Sequence, residues 1–317
     1  MNELATPRLP DLLDVPFQKE LPVMGVRVRF KSSSERIDRI VERAFGHWRG
    51  LPPELIESGS PLDVTLVERP SAAQPGSLRI QYGSGWLTAS DGDSMLAACI
   101  DRGSALALVS ETLVADESRF RHEIVECATL VLVSQRDRTP MHASAVARND
   151  VAVAFVGRSG EGKSTLTYAC LCRGFDLLSE DVLHCSRRPS MRYWGNGGQV
   201  RLLPDAIRWF PELNAIEPRL LENGKVKLVV PVARNALTAR TVNFCILERG
   251  NGMETRLERA TRDELVKAVG TQLEPGFELF PQVRALATEV PGDSVCRLVV
   301  GSDPLRAAEV VERLVES

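Results

Sequence analysis

One stretch constrains this chain more than any other: "VAVAFVGRSGEGKSTLTYACLCRG", residues 151–174. Val151 to Val156 is an unbroken apolar run, as expected of a strand buried on both faces. Gly157 to Ser164 then fits G-x-x-x-x-G-K-[ST], the loop that cradles phosphate. "KSTLTYACLCR" reads as a short helix, and Gly174 suits its C-terminal cap. Strand, glycine-rich loop and helix together commit this half of the chain to an α/β fold.

The chemistry asks for these residue types. Glycines let backbone N–H groups turn inward around phosphate oxygens. The helix N-terminus adds about half a positive charge. Lys163 is spaced to reach the β- and γ-phosphates, and Ser164 offers a hydroxyl to Mg²⁺. Gly157, Ser159, Gly160, Gly162, Lys163, Ser164 and Thr165 are the expected nucleotide contacts. Arg158 and Glu161 belong to the loop, with side chains expected to point outward.

"FDLLSEDVLHC" follows and reads as a second strand with acids inside it. Two carboxylates in an apolar strand are costly unless cations or hydrogen bonds meet them. A strand beside the loop's own strand would carry Glu180 and Asp181 toward the phosphates. Metal coordination and proton abstraction are the natural tasks there, with a solvent-facing charge pair as the bland alternative. Of the four histidines, His47, His122 and His184 read as structural. His142, in "MHASAV" just before the buried strand, stands apart through its neighbours. Lys225, Lys227, Arg201 and Arg234 are candidate cations for transition-state charge.

The other classes are narrowed by composition. Net charge is −3, which gives no global reason to expect nucleic-acid or membrane partners. No run of 18 apolar residues appears, and the acidic, proline-broken start lacks the pattern of a signal peptide. Seven scattered cysteines without a spacing framework read as reduced thiols in a cytoplasm. Cys170-x-Cys172 with His184-Cys185 is a poor metal cluster, because helix positions i and i+2 point apart.

A chain of 317 residues suits two domains. We place a boundary near Pro140, giving a 1–138 α+β module and a 139–317 catalytic domain. Residues 1 to about 25 read as irregular because of their prolines. "VRVRF" alternates as a strand, and Ile37, Ile40, Val41 and Ala44 have helical spacing. "DVTLVE", "LRIQYG", "WLTAS", "MLAACI" and "ALALVS" read as an antiparallel meander. One long helix is expected from Ser118, with Phe120, Ile124, Ala128, Val131 and Leu132 as its apolar stripe. Strands "VKLVVPV", "TVNFCILER", "ETRLER" and "SVCRLVVG" and three further helices are expected in the second half.

The stretch from "MHASAV" through "VAFVGRSGEGKSTLTYACLCRGFDLLSEDVLHC" resembles the catalytic core of HPr kinase/phosphorylase and its related-kinase branch. "RLLPDA" and "VPGDSVCRLVVG" are similar to that branch as well. The resemblance implies a P-loop fold of the HPr kinase and phosphoenolpyruvate carboxykinase C-terminal type. It implies ATP and Mg²⁺ as cofactors and phosphoryl transfer to a serine hydroxyl. By position, Glu180 matches the base, Asp181 the second acid near the metal, and His142 the family's histidine. Ser164 and Asp181 are the implied metal ligands.

Three features depart from the family. Glu180 stands where an aspartate is usual, Thr165 where a glutamate follows the loop serine. "YWGNGGQVRLLPDAIRWFPEL" does not resemble the segment tied to phosphorylase activity, which argues against the reverse reaction and against HPr as acceptor. Members of the related branch in peptide biosynthetic clusters, those of lasso peptides included, phosphorylate a peptide serine. The expected partner is therefore a peptide or protein with an acceptor serine, and a homo-oligomer stays open. Two other readings remain: a nucleotide-dependent binding module without transfer, and a mechanical ATPase. The second is disfavoured because "GNGGQ" only faintly echoes a transporter signature.

Overall fold

Two prolines, Pro16 and Pro22, suggest an irregular lead-in, yet residues 17–32 fold as a hairpin. The computed structural model describes residues 14–71, 73, 76–83, 85–188, 190–221, 224–250, 252, 254–271 and 282–316. Of the expected irregular segment, residues 1–13 lie outside that description. β1 (Phe17–Val23) pairs antiparallel with β2 (Val26–Ser32) across Met24-Gly25. Both turn residues have positive φ, 50° and 79°, as a tight two-residue hairpin turn demands. Met24 accepts that strain with its side chain fully buried. Pro22 is tolerated because β1 is an edge strand, where a missing N–H leaves no ladder partner unsatisfied.

The chain divides into two compact units, Met1–Arg136 and Asp137–Ser317. In the first, α1 (Glu35–Phe45) is capped by Ser34, whose hydroxyl accepts the Ile37 N–H at 3.3 Å. It buries Ile37, Ile40, Val41 and Ala44. β3 (Leu62–Arg69) then returns parallel to β2. β4 (Arg79–Gly83), β5 (Trp86–Ser90), β6 (Met95–Cys99) and β7 (Ser104–Ser110) form an antiparallel meander. The seven-stranded sheet runs β1-β2-β3-β7-β6-β5-β4. β3 therefore does not extend the meander as expected. The α1 crossover seats it parallel to β2, and β7 closes against its other side, also parallel.

Behind a separate short helix, α2 (Glu111–Ala115), the long helix expected from Ser118 begins at Glu117. It runs on through α3 (Glu117–Phe120), a π-helical stretch Arg121–Glu126 and α4 (Cys127–Ser134). Asp116 caps α3 by accepting the Arg119 N–H, so it starts the long helix rather than continuing α2. Phe120, Ile124, Ala128 and Leu132 are buried.

In the second unit, β8 (Thr139–His142) and β9 (Ser144–Arg148) precede β10 (Val151–Val156). The β9–β10 turn, Asn149-Asp150, again has two positive φ values, 53° and 66°. Asp150 also clasps the start of a distant strand. Its carbonyl accepts the Arg240 N–H at 3.1 Å, and its carboxylate lies 3.0 Å from Arg240 Nε. After β10 come α5 (Lys163–Cys172), β11 (Asp176–Ser179), β12 (Val182–Ser186) and β13 (Arg192–Gly195). β14 (Gln199–Leu202), β15 (Arg219–Leu220), β16 (Val226–Pro231) and β17 (Thr238–Ala239) follow. The chain ends with β18 (Thr241–Arg249), β19 (Arg256–Arg259), α6 (Arg262–Thr271), α7 (Gln282–Glu289), β20 (Val295–Val300) and α8 (Pro304–Glu316).

The central sheet runs β11-β9-β10-β18-β20-β19, with β10, β18 and β20 parallel. Val153 and Phe155 pack with Leu166 and Ala169 of α5 and Ala307 of α8. Ala152, Ala154 and Val156 pack with Leu265 of α6 and Leu286 of α7. Helices thus cover both faces, which is why β10 is apolar at every position. Smaller sheets, β17-β13-β12-β8 and β14-β16-β15, complete the unit. The whole is a mixed α/β architecture with several sheets.

Two sequence expectations need correction here. β11 does not lie beside β10, because β9 intervenes. The expected single strand over residues 175–185 is two strands in different sheets, broken at Glu180-Asp181. Charged side chains resist a fully buried ladder, and the chain changes sheets where they occur.

Gly195 marks where two sheets meet. A Cβ there would lie 1.5 Å from the Leu178 carbonyl oxygen. That neighbour is backbone and cannot swing aside. Gly195→Ala is expected to destabilise the second unit by about 3 kcal/mol or to prevent its folding. Gly50→Ala, with nothing within 4 Å of its added carbon, is the control expected to leave the urea midpoint unchanged.

Candidate functional site

The loop Gly157–Ser164 joins the C-terminal end of β10 to the start of α5. Gly160 and Gly162 have φ of 92° and 96°. Space is open around both, with nothing within 4 Å of an added Cβ. They are glycines for backbone conformation, not for packing. No acidic side chain occupies the first turn of α5, so its N-terminal partial charge stays available to an anion. Lys163 is buried and folds back, donating from Nζ to the Gly157 carbonyl at 2.6 Å.

Glu161 corrects the expectation that its side chain points outward. Its Oε2 accepts the Arg158 N–H at 2.6 Å. The turn leaves that amide in need of an acceptor, and the nearest carboxylate supplies it.

The acids sit at the crease where β11 passes into β12. Hydrogen bonds fasten this crease to the matching crossing from β8 to β9. Ser144 Oγ donates to the Glu180 carbonyl at 2.5 Å, and the Ala143 N–H to the Asp181 carbonyl at 3.0 Å. A register irregularity in β11, between Leu177 and Ser179, precedes them. Such bulges re-aim the side chains that follow.

The two carboxylates end in different surroundings. Glu180 is largely buried, with 12% of its side chain exposed, against 53% for Asp181. Glu180 Oε1 accepts the Arg201 N–H at 2.7 Å, and Arg201 Nε lies 3.4 Å from Oε2. Burial pushes the Glu180 carboxyl above its ordinary range, and Arg201 opposes that rise. Asp181 Oδ1 instead lies 3.4 Å from His142 Nδ1.

A cavity of about 860 Å³ is lined by His142, Lys163, Ser164, Glu180 and Asp181. Ser159, Gly160, Gly162 and Thr165 of the loop also border it, while Gly157 contributes the carbonyl that holds Lys163. Arg201, Lys225 and Lys227 face it, whereas Arg234 pairs with Asp176 at 2.8 Å and does not line it. Sequence reading missed Arg208, Trp209 and Arg249, which also line it. Arg208 stacks 3.7 Å above the Trp209 ring, and Trp209 Nε1 donates to the Ser302 carbonyl at 3.1 Å. No local pattern marks them, because they arrive from a 3₁₀ turn and the end of β18.

No protein-family model and no curated protein matches the sequence. Among solved structures, the chain is similar to the Hpr(Ser) kinase/phosphatase from Coxiella burnetii. That likeness has 14% identity and a TM-score of 0.30, over 56% of this chain and 95% of the other.

The Glu180 environment makes a pH prediction. Its carboxyl is raised in the folded state, so the folded protein holds the proton more tightly than the unfolded chain does. The resulting stability is present in acid and is lost as pH rises through the raised value. Glu180→Gln removes that loss and keeps an oxygen for the Arg201 N–H. Its urea midpoint is expected to exceed the parent's near neutral pH, with the gain fading below pH 4.5, the ordinary carboxyl value. An equal difference at both pH values would assign the effect to packing instead.

Proposed function

We propose that the second unit is an ATP- and Mg²⁺-dependent kinase that phosphorylates a hydroxyl, namely a serine of a peptide or protein. The observation that carries this reading is the shared cavity. It holds Lys163, Ser164 and open glycines on one side, and two carboxylates with a histidine on the other. An idle nucleotide site needs the first group only.

The residues fit a nucleotide and a metal. Loop N–H groups, the α5 N-terminus and Lys163 suit a triphosphate. Ser164 and the exposed Asp181 are oxygen donors of the type Mg²⁺ takes. The metal, when bound, offsets phosphate charge. Glu180 is the proton acceptor in this reading, since burial makes its carboxylate a stronger base. Arg201 holds that carboxylate in place. His142 orients Asp181 from the other side. Peptide acceptors such as lasso peptide precursors agree with the resemblance in sequence.

Labelled phosphate transfer tests the proposal. The protein is incubated with γ-labelled ATP, Mg²⁺ and a panel of serine peptides. Lys163→Ala and Asp181→Asn are each expected to reduce labelling by more than about 100-fold. Lys163→Ala should also weaken nucleotide binding. Label found only in free phosphate would replace the reading with an ATPase. ATP binding without any label release would replace it with a binding module.

A further inference from the structure

The first unit's sheet has two unlike faces. Alternation sends Val28, Phe30, Val64, Leu66, Ala107 and Leu96 to the buried side. The other side is a trough of about 1250 Å³. Register pairing lays its residues out in straight rows across five strands. One row is Lys31, Thr65, Leu106, Ala97 and Thr88, from β2 through β3, β7 and β6 to β5. The neighbouring row is Arg29, Asp63, Ser104, Cys99 and Trp86.

Each row begins with a cation on β2, Lys31 or Arg29. The first ends on Thr88 and the second on the Trp86 indole, and a third cation, Arg102, stands on the β6–β7 turn. Trp86 is 45% exposed. Arg29 lies 3.4 Å from Asp63, which partly neutralises it. Lys31 and Arg102 border the trough, and no carboxylate pairs with either among the described residues. A surplus of positive charge beside apolar surface therefore faces solvent, in a chain of net charge −3.

We propose that this face binds an extended acidic segment of a partner polypeptide. Its carboxylates lie over Lys31, Arg29 and Arg102, and an apolar or aromatic side chain lies beside Trp86. Five strands span about 19 Å, which is the length of roughly six extended residues. Charge complementarity favours an acidic segment over a basic one. A polypeptide fits better than a single-stranded nucleic acid, whose bases would need several aromatic platforms. Trp86 is the sole aromatic side chain in the two rows. The inference is independent of the nucleotide reading, since it uses residues of the first unit alone.

Fluorescence anisotropy of the full chain tests it. The probes are a labelled peptide of glutamate and leucine with one phenylalanine, its lysine-for-glutamate counterpart, and a labelled oligothymidylate. The acidic peptide is expected to bind about tenfold more tightly than the basic one, and less tightly as salt is raised. The double variant K31E/R102E should weaken it by about tenfold or more. Trp86→Ala should weaken it and Trp86→Phe should largely restore it. Both charge changes are at the surface, and an unchanged circular dichroism spectrum verifies folding. Tighter binding of the oligothymidylate would overturn the proposal in favour of nucleic acid. Equal binding by K31E/R102E, or binding of no probe, would overturn it outright.

Discussion

The site depends on one crease. Two strand pairs, β8–β9 and β11–β12, change sheets side by side, and hydrogen bonds through Ser144, Ala143 and Ser179 lock the crossings together. The central sheet on one side of the crease carries the loop and Lys163. The smaller sheet on the other carries β12 and β8, whose end is His142. Glu180 and Asp181 sit between. Their distance from the loop is thus set by the angle at which two sheets meet, not by the length of one strand. Gly195 belongs to the same junction, since only a residue without Cβ lets β13 approach Leu178 so closely.

Local patterns were legible in the sequence. The apolar run of β10, the glycine loop and α5 occur where periodicity and glycine placement put them, and β5 and β18 match their apolar runs end to end. These are elements whose neighbours in space are also neighbours in pattern. What escaped was order within sheets. Nothing in "FDLLSEDVLHC" announces that its two halves belong to different sheets, because both halves are equally apolar. Nothing in "DVTLVE" distinguishes a parallel partner from an antiparallel one. The prolines of residues 16–22 misled for a positional reason: they are harmless on an edge, and edges are defined only by the finished sheet.

The candidate site divides along the same line. Lys163, Ser164, Glu180, Asp181 and His142 are close in sequence, and all five reach one cavity. Arg201 lies farther along the chain, on β14 beyond the paired strands β12 and β13, and its role is double. It attracts Glu180 through its guanidinium and also presents its own N–H to the carboxylate. Buried carboxylates left without such partners are costly. Arg208, Trp209 and Arg249 come from farther away still, which is why only the folded chain groups them with the loop.

Asp150 has a consequence out of proportion to its place. It sits at the end of the central sheet opposite the loop and grips Arg240, the residue just before β18. Val151 thereby faces Thr241, and five positions later Val156 faces Ile246. A slip of one residue would turn every side chain of β18 to the other face. The grip works as a ruler about 20 Å long. It fixes how far Arg249 projects past the strand that delivers the loop. A surface turn with no chemistry of its own thus sets the alignment of the cavity's far wall.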